Sequence, residues 1–595
     1  MANPIPSGLK EKLFFLGCLL FLTLGFYNNF WKAADQGFYS EFDKSSESLI
    51  LGRLGMSERE GLFAHGGLTG RFPTPEGKDS VLYQYEVYED QLEVETDVFH
   101  TYDSQTGGQA ITFALIDIVS PLSNQANVQL YKLLNSALAA LVFLLIVFWV
   151  YQNFGFGTAL ITFIFILFSQ GITVFARHLY WSLWAFYVPF LAVLAALLVE
   201  KRKDIQFSAS KMIGLVFLAV LVKFFYTGFE YITTTLIMLV TPFVFYAILD
   251  KWPFRKLVNR VLYSAVGSIA AALMSSVFIV LQISAVKGSL ASGVDHIVGS
   301  FLRRSWGDPN NFSDTYRASL ESSIPEVLGR YLIRTPAPPF DLQNIFVNFS
   351  GADLWKMNYG GLIFLFAAFS VLYFMGKKYD FIDAGDSKKQ TALILTCWVS
   401  ILAPLSWLIL FKGHSYIHRV LNYIVWYMPF AILGFAVISS VIMSMKTRAY
   451  QFLSVAGIFL VFFVSDYQEK QLGRVVENYN QVQEIRSSAL LHQAESGFSI
   501  YAHQDRIWYV KEAAQEQDRE ATFFLEFIPA DRSAVQGETL EFDYRSGSIQ
   551  FPWWTGKGKL LIVSQPLPSY AIDEIRTGQQ AEGTSIWQTR LVIEN

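Results

Sequence analysis

Charge is what this sequence has least of. Only 16% of its 595 residues are Asp, Glu, Lys or Arg, against about a quarter in water-soluble domains. With 52% hydrophobic residues and a mean hydropathy of +0.33, an ordinary soluble enzyme and a disordered chain are both excluded. A basic excess is missing too. Lys and Arg number 46 against 50 Asp and Glu, a net charge of −4. No global positive field exists to neutralise phosphates, and nucleic acid is excluded as a partner. Cysteine is scarce: Cys18 and Cys397 both lie in apolar runs and build neither a disulfide framework nor a thiolate metal site. Walker loop, GxGxxG, CxxC and HExxH patterns are absent, as are internal repeats and low-complexity segments.

Long apolar runs are what the chain does have. A helix crossing the hydrocarbon needs about 20 apolar residues, and about eleven stretches qualify: 13–31, 130–150, 156–176, 179–199, 212–228, 230–249, 261–286, 359–376, 391–411, 421–443 and 450–465. Lys223 interrupts the fifth. The first run follows Lys10 and Lys12 as in a signal peptide, but bulky Phe26, Tyr27 and Phe30 stand where a cleavage site needs small residues. A retained first helix is expected. Between spans, basic residues cluster at Lys201–Lys203, at Lys251, Arg255, Lys256 and Arg260, at Lys377, Lys378, Lys388 and Lys389, and at Lys446 and Arg448. The positive-inside rule makes these loops and the N-terminus cytoplasmic, and an odd number of spans puts the C-terminus outside.

Three large segments then share the outer face: 32–129, 287–358 and the tail. The tail opens with a polar, helix-compatible stretch from Asp466 and passes to strand-like runs such as FSIYAHQDRIWYV, TFFLEFI and KLLIVS. The expected fold is a polytopic α-helical membrane protein with about eleven transmembrane helices over residues 1–465 and a small β-rich extracytoplasmic domain over 466–595. The inward loops are too short for a nucleotide-binding domain, so chemistry is expected on the outer face.

Several ionisable residues of that face could carry it. Asp35 follows the first span at once, in KAADQGFYSEFD, where a carboxylate at the membrane edge is costly unless solvated or paired. It is either a site residue or a solvated helix end. Asp97 and Asp103, in ETDVFHTYDSQTGGQA, precede the second span, and two carboxylates at one site could divide proton removal and orientation between them. Arg177 and His178 in VFARHLYWSLW suit a phosphate through guanidinium hydrogen bonds, or else anchor an aromatic belt. Lys223 and Glu230, in VKFFYTGFEYITTT, either pair with each other or face a cavity, with Gly228 breaking a tight helical hairpin. Arg303 and Arg304 in SFLRRSWGDPNNF form another candidate phosphate clamp. KGHSYIHRVLNYIVWYMPF adds His414, His418 and Arg419, the two histidines sharing one face if helical. Without a third ligand they suit phosphate or sugar hydrogen bonding better than a metal. Trp553 and Trp554 could stack on sugar rings or pack a β domain.

An acid just after the first span, a long first outer loop and an extracytoplasmic C-terminal domain together resemble the GT-C superfamily of integral membrane glycosyltransferases. ARHLYW, GFEYITT, KGHSYIH and the tail stretches IYAHQDRIWYVKEAAQEQDREATFFLEFIPAD, LPSYAIDEIRTGQ and SIWQTRLV resemble a bacterial branch of GT-C-like proteins. The tail departs from that branch at Ala513 and Ala514, in place of Pro-Cys, and at Glu526, in place of His, which argues against catalysis there. The resemblance implies transfer of a sugar from a polyprenyl-phosphate carrier to a glycan, lipid or protein acceptor, on the outer side of a bacterial cytoplasmic membrane. It makes Asp35 the general base or acceptor-orienting carboxylate and Asp103 a second acid. Arg177, His178, Arg304, His414 and Arg419 would hold the lipid phosphate, and membrane lipids would surround the spans. Some relatives use a divalent ion such as Mg or Mn, for which no complete ligand set is evident. The alternatives are a lipid-linked sugar flippase or transporter, a non-catalytic assembly protein, and a ligase joining lipid-linked glycans.

Overall fold

The computed structural model describes residues 8–333, 338–342, 356–383 and 387–465, followed by 487–493, 498–503, 506–511, 523–529, 536–540, 548–550, 558–563 and 589–594. It divides into two units, Met1–Glu469 and Lys470–Asn595.

Among the described residues of the first unit, eight helices are long and apolar enough to cross a membrane. They are Asn124–Phe154, Leu183–Lys203, Ala209–Thr227, Ile232–Leu249, Phe254–Lys287, Tyr359–Lys378, Ser387–Leu410 and Arg448–Ser465. Two bent pairs, Phe156–Leu167 with Gln170–Ala176 (68°) and Arg419–Tyr427 with Phe430–Met443 (47°), bring the number to ten when each pair is one span. The chain is a polytopic helical membrane protein. The second bend falls at Pro429, which has no N–H to continue a helix. The first expected span is also a helix, Leu9–Asn28, but its first turn holds Lys10, Glu11 and Lys12, and it is not among the ten. It lies against Asn124–Phe154, with Phe15 on Phe148 at 5.3 Å and Phe26 on Phe143 at 6.0 Å.

The loops gather at two ends. At the basic end, Lys201 pairs with Asp250 (2.9 Å), buried Arg260 pairs with Glu200 (2.7 Å), and the Asp383 N–H donates to the Ser444 carbonyl (2.7 Å).

At the other end the segment 32–129 is far from a loose loop. It forms the helices Lys44–Glu60, Ser80–Glu89 and Gly108–Val119 and the antiparallel pair Thr69–Arg71 with His100–Tyr102. It is fastened to the spans at several points. Gly108 is seated so closely that a Cβ there would lie 2.2 Å from the Phe225 carbonyl oxygen. Thr106 donates to that same oxygen at 2.8 Å, and Gln282 Nε2 donates to the carbonyls of Gly66 (2.8 Å) and Thr106 (3.0 Å). A buried ion pair, Lys132 to Glu47 at 2.6 Å, joins the Asn124–Phe154 span to the loop. The second outer segment is helical too, over Leu290–Arg304, Asp314–Glu321 and Ile324–Leu332.

The described part of the second unit comprises strand segments, among them Phe498–His503, Arg506–Lys511, Phe523–Pro529 and Gly558–Val563. Trp553, Trp554, Ala513, Ala514 and the stretch 466–486 lie outside the described residues.

Candidate functional site

The site begins at the turn between Ala209–Thr227 and Ile232–Leu249. Gly228 takes φ +55°, ψ −143°, a conformation glycine adopts readily and L side chains rarely do. Buried turn carbonyls need donors, and Lys223 supplies one from within the helix. Its Nζ donates to the carbonyls of Gly228 (2.6 Å) and Glu230 (2.5 Å). Lys223 thus holds the backbone of Glu230, not its carboxylate, and the two side chains do not pair.

The Glu230 carboxylate turns instead to residues far along the chain. Its Oε1 lies 2.9 Å from Arg304 Nη1 and its Oε2 lies 3.6 Å from His414 Nε2. Glu230 is 2% exposed, and Oε2 has no hydrogen-bond donor. A buried acceptor left in this state costs about 1–3 kcal/mol.

Arg304 ends the helix Leu290–Arg304, and the KGH stretch locks it to the histidines. Lys412 Nζ donates to the carbonyls of Leu320 (2.6 Å) and Ser322 (2.8 Å). A Cβ at Gly413 would lie 2.9 Å from the Arg303 carbonyl oxygen, so only glycine lets these backbones approach. Asn422 Nδ2 donates to His414 Nδ1 (3.0 Å) and to the His414 carbonyl (3.2 Å). With Nδ1 accepting, the imidazole proton is assigned to Nε2, facing Glu230. Burial, with His418, Arg304 and Arg303 adding to it, pushes His414 well below the ordinary histidine range. The His418 ring lies 4.5 Å from that of His414. Burial lowers its pKa as well, with Glu230 and Asp43 opposing and Arg304 and Arg303 assisting.

Asp43, from the first loop, acts electrostatically on the same histidine. It sits at φ +43°, N-caps Lys44–Glu60, and accepts from Trp181 Nε1 at 2.7 Å. Trp181 stacks on Tyr231 at 5.6 Å and 21°, beside Glu230 in sequence. His178 Nδ1 accepts from the N–H groups of Tyr180 (3.2 Å) and Trp181 (3.4 Å), so its Nε2 donates to the Asp43 carbonyl (3.1 Å). Burial lowers the pKa of His178. Both His178 and His414 have their Nδ1 atoms occupied by hydrogen bonds, which leaves Nε2 as the atom each ring turns to its surroundings.

The remaining candidates are distributed around this cluster. Asp35 is exposed and serves as the N-cap of Gln36–Glu41, accepting from the Phe38 N–H at 2.8 Å. Arg177 lies 4.5 Å from the ring of Tyr39 and acts electrostatically on Glu47. Arg303 lies 4.8 Å from the Tyr316 ring. Arg419 and Asp97 are exposed.

Asp103 is 7% exposed, paired with Lys287, 4.0 Å from His296 Nδ1, and accepts from Thr101 Oγ1 at 2.8 Å. Together with Ser104, His296, Ser300 and Arg304 it forms the polar side of a cavity of about 380 Å³ whose remaining wall is apolar, including Ile232, Ile279 and Phe301. Arg304 therefore belongs both to the buried carboxylate cluster and to the cavity wall. Sequence reasoning passed over Asp43, Lys287, His296 and the Glu47–Lys132 pair. The signal for the last was a lysine near the start of an apolar span.

A divalent cation does not fit this donor set. Among the described residues no three His, Cys, Asp or Glu converge, and the Glu230 carboxylate already faces the guanidinium of Arg304. No protein-family model matches the chain, and neither does any curated protein or solved structure.

Proposed function

We propose that the chain is a membrane glycosyltransferase of GT-C type, moving a sugar from a polyprenyl-phosphate carrier to a hydroxyl of a glycan, lipid or protein acceptor at the non-basic end of the bundle. One observation carries this reading. Arg304 stands where an apolar cavity meets a buried carboxylate with an unused oxygen. An isoprenoid chain needs the first, a phosphate needs the guanidinium, and an acceptor hydroxyl needs the free Oε2.

In this reading Arg304 and Arg303 neutralise the phosphate, and Glu230 Oε2 receives the acceptor hydroxyl's hydrogen bond. Asp43 takes the proton; it is the first-loop acid whose carboxylate is held by Trp181, the ring stacked on Tyr231 next to Glu230 in sequence. The acceptor oxygen forms a bond to the anomeric carbon, the bond from that carbon to the phosphate oxygen breaks, and the electron pair leaves with polyprenyl phosphate. The leaving group is already good, so positioning and charge stabilisation suffice. By the positive-inside rule the end carrying the site faces away from the cytoplasm. The segment 466–595 is then a β-rich domain on that face, with an acceptor-gating or structural role.

Purified full-length protein in liposomes, supplied with a polyprenyl-phosphate sugar and hydroxyl acceptors, tests the reading. Sugar transfer by wild type, lost in Arg304→Lys with folding retained, supports it. Sugar-independent movement of the lipid across the bilayer identifies a flippase instead, and neither activity leaves a non-catalytic assembly role.

A further inference from the structure

A second cavity, of about 510 Å³, lies between the spans Tyr359–Lys378 and Arg448–Ser465, away from the site above. Its wall is apolar, with Phe364, Ala368 and Leu372 on one helix facing Leu453, Gly457 and Val461 on the other. The one serine in the lining, Ser454, turns its hydroxyl to Met445 Sδ at 3.3 Å. A cavity with so few polar partners does not hold ordered water, and its volume is that of a small-molecule site. Gly457 adds room, because a Cβ there would meet nothing within 4 Å.

The two helices are held together at the basic end, where the Lys446 N–H donates to the Phe381 carbonyl at 3.1 Å and Phe381 packs on Tyr450 at 5.6 Å. Around that closure stand exposed Lys377, Lys378, Lys388, Lys446 and Arg448, against the exposed acids Asp380 and Asp383. Asp380 is engaged by Lys446 at 2.5 Å. Among the described residues the cations outnumber the acids at this end of the apolar slot.

We propose that this groove is a binding site for one anionic phospholipid, its acyl chain between the two spans and its phosphate on the cations that include Lys377 and Arg448. Each basic residue near a membrane surface strengthens anionic lipid binding by about fivefold. The lipid would fill the contact between the final span, which is otherwise mostly exposed, and the bundle.

The test is native mass spectrometry of the full chain released from bilayers of equal parts phosphatidylglycerol and phosphatidylcholine. One phosphatidylglycerol should remain bound to wild type. Lys377→Gln with Arg448→Gln, both surface changes, should weaken it by more than tenfold without increasing bound phosphatidylcholine. Gly457→Trp should expel it, while Leu273→Trp, on a different lipid-facing span, should not. Equal retention of both lipids, retention by Gly457→Trp, or a second copy of the chain in place of lipid would overturn the proposal.

Discussion

The guanidinium of Arg304 lies 2.9 Å from the carboxylate of Glu230, joining the end of an outer helix to the tip of a transmembrane hairpin. Glu230 is buried and Arg304 only partly exposed, so each depends on the other. Burial lowers the pKa of Arg304, but Glu230 together with Tyr102, Tyr180 and Tyr316 outweighs that and raises it.

Removing one partner of a buried ion pair leaves an uncompensated charge and costs about 3–5 kcal/mol. Arg304→Gln is therefore expected to lower thermal stability sharply. Replacing the pair together, Glu230→Leu with Arg304→Met, should recover most of the loss while sugar transfer stays absent. Thermal unfolding in detergent, read alongside the transfer assay, separates these two effects.

The two first-loop acids should behave differently. Asp35→Ala removes an exposed helix cap and should cost about 1 kcal/mol, with turnover largely kept. Asp43→Asn preserves a capping side chain but removes the carboxylate, and should abolish turnover with little change in unfolding temperature. Loss of turnover in a folded Asp35→Asn protein, with Asp43→Asn active, would return the catalytic role to Asp35.

His178 and His414 have folded pKa values below those of the unfolded chain. Protonation then favours unfolding, so the stability they contribute is present above about pH 6.5 and is lost as the pH falls below it. The slope should approach about 1.4 kcal/mol per pH unit for each histidine. Unfolding followed between pH 7.5 and pH 5 should show this dependence, and His414→Gln should flatten it.

Glu47 offers a separate check on how the first loop is held. Burial disfavours its ionised form, but Lys132, His178 and Arg177 outweigh that and hold the carboxyl at about 2. Lys132→Met is expected to destabilise the protein by about 3–5 kcal/mol and to move the acid unfolding midpoint upward. Acid titration of the unfolding transition measures both.

Hydropathy made the spans legible, because lipid imposes one rule on every residue that faces it. It also marked Glu230, Arg304 and His414 singly, as charged or polar residues beside apolar runs. Their meeting was not readable, since it depends on how the Leu290–Arg304 helix returns over the 228–231 turn. Lys223 and Glu230 show the limit well: opposite charges at a hairpin suggest a pair, yet Lys223 Nζ holds the turn carbonyls of Gly228 and Glu230, which no hydropathy scale counts. Asp35 and Asp43 differ through local backbone geometry. Asp35 caps an exposed turn, whereas the left-handed Asp43 places its carboxylate against Trp181. Nor did the sequence reveal that segments 32–129 and 287–333 would hold helices, because the small core of the first, Met56, Phe72, Tyr83, Val87 and Phe99, is assembled from short elements far apart in the chain.

Lys412 reaches the carbonyls of Leu320 and Ser322 while its neighbour Gly413 rests against Arg303. The arginine helix end and the histidine segment thus share one packed seam with no side chain between their backbones, so a residue larger than glycine at 413 should shift both together, like a shim driven under two boards at once.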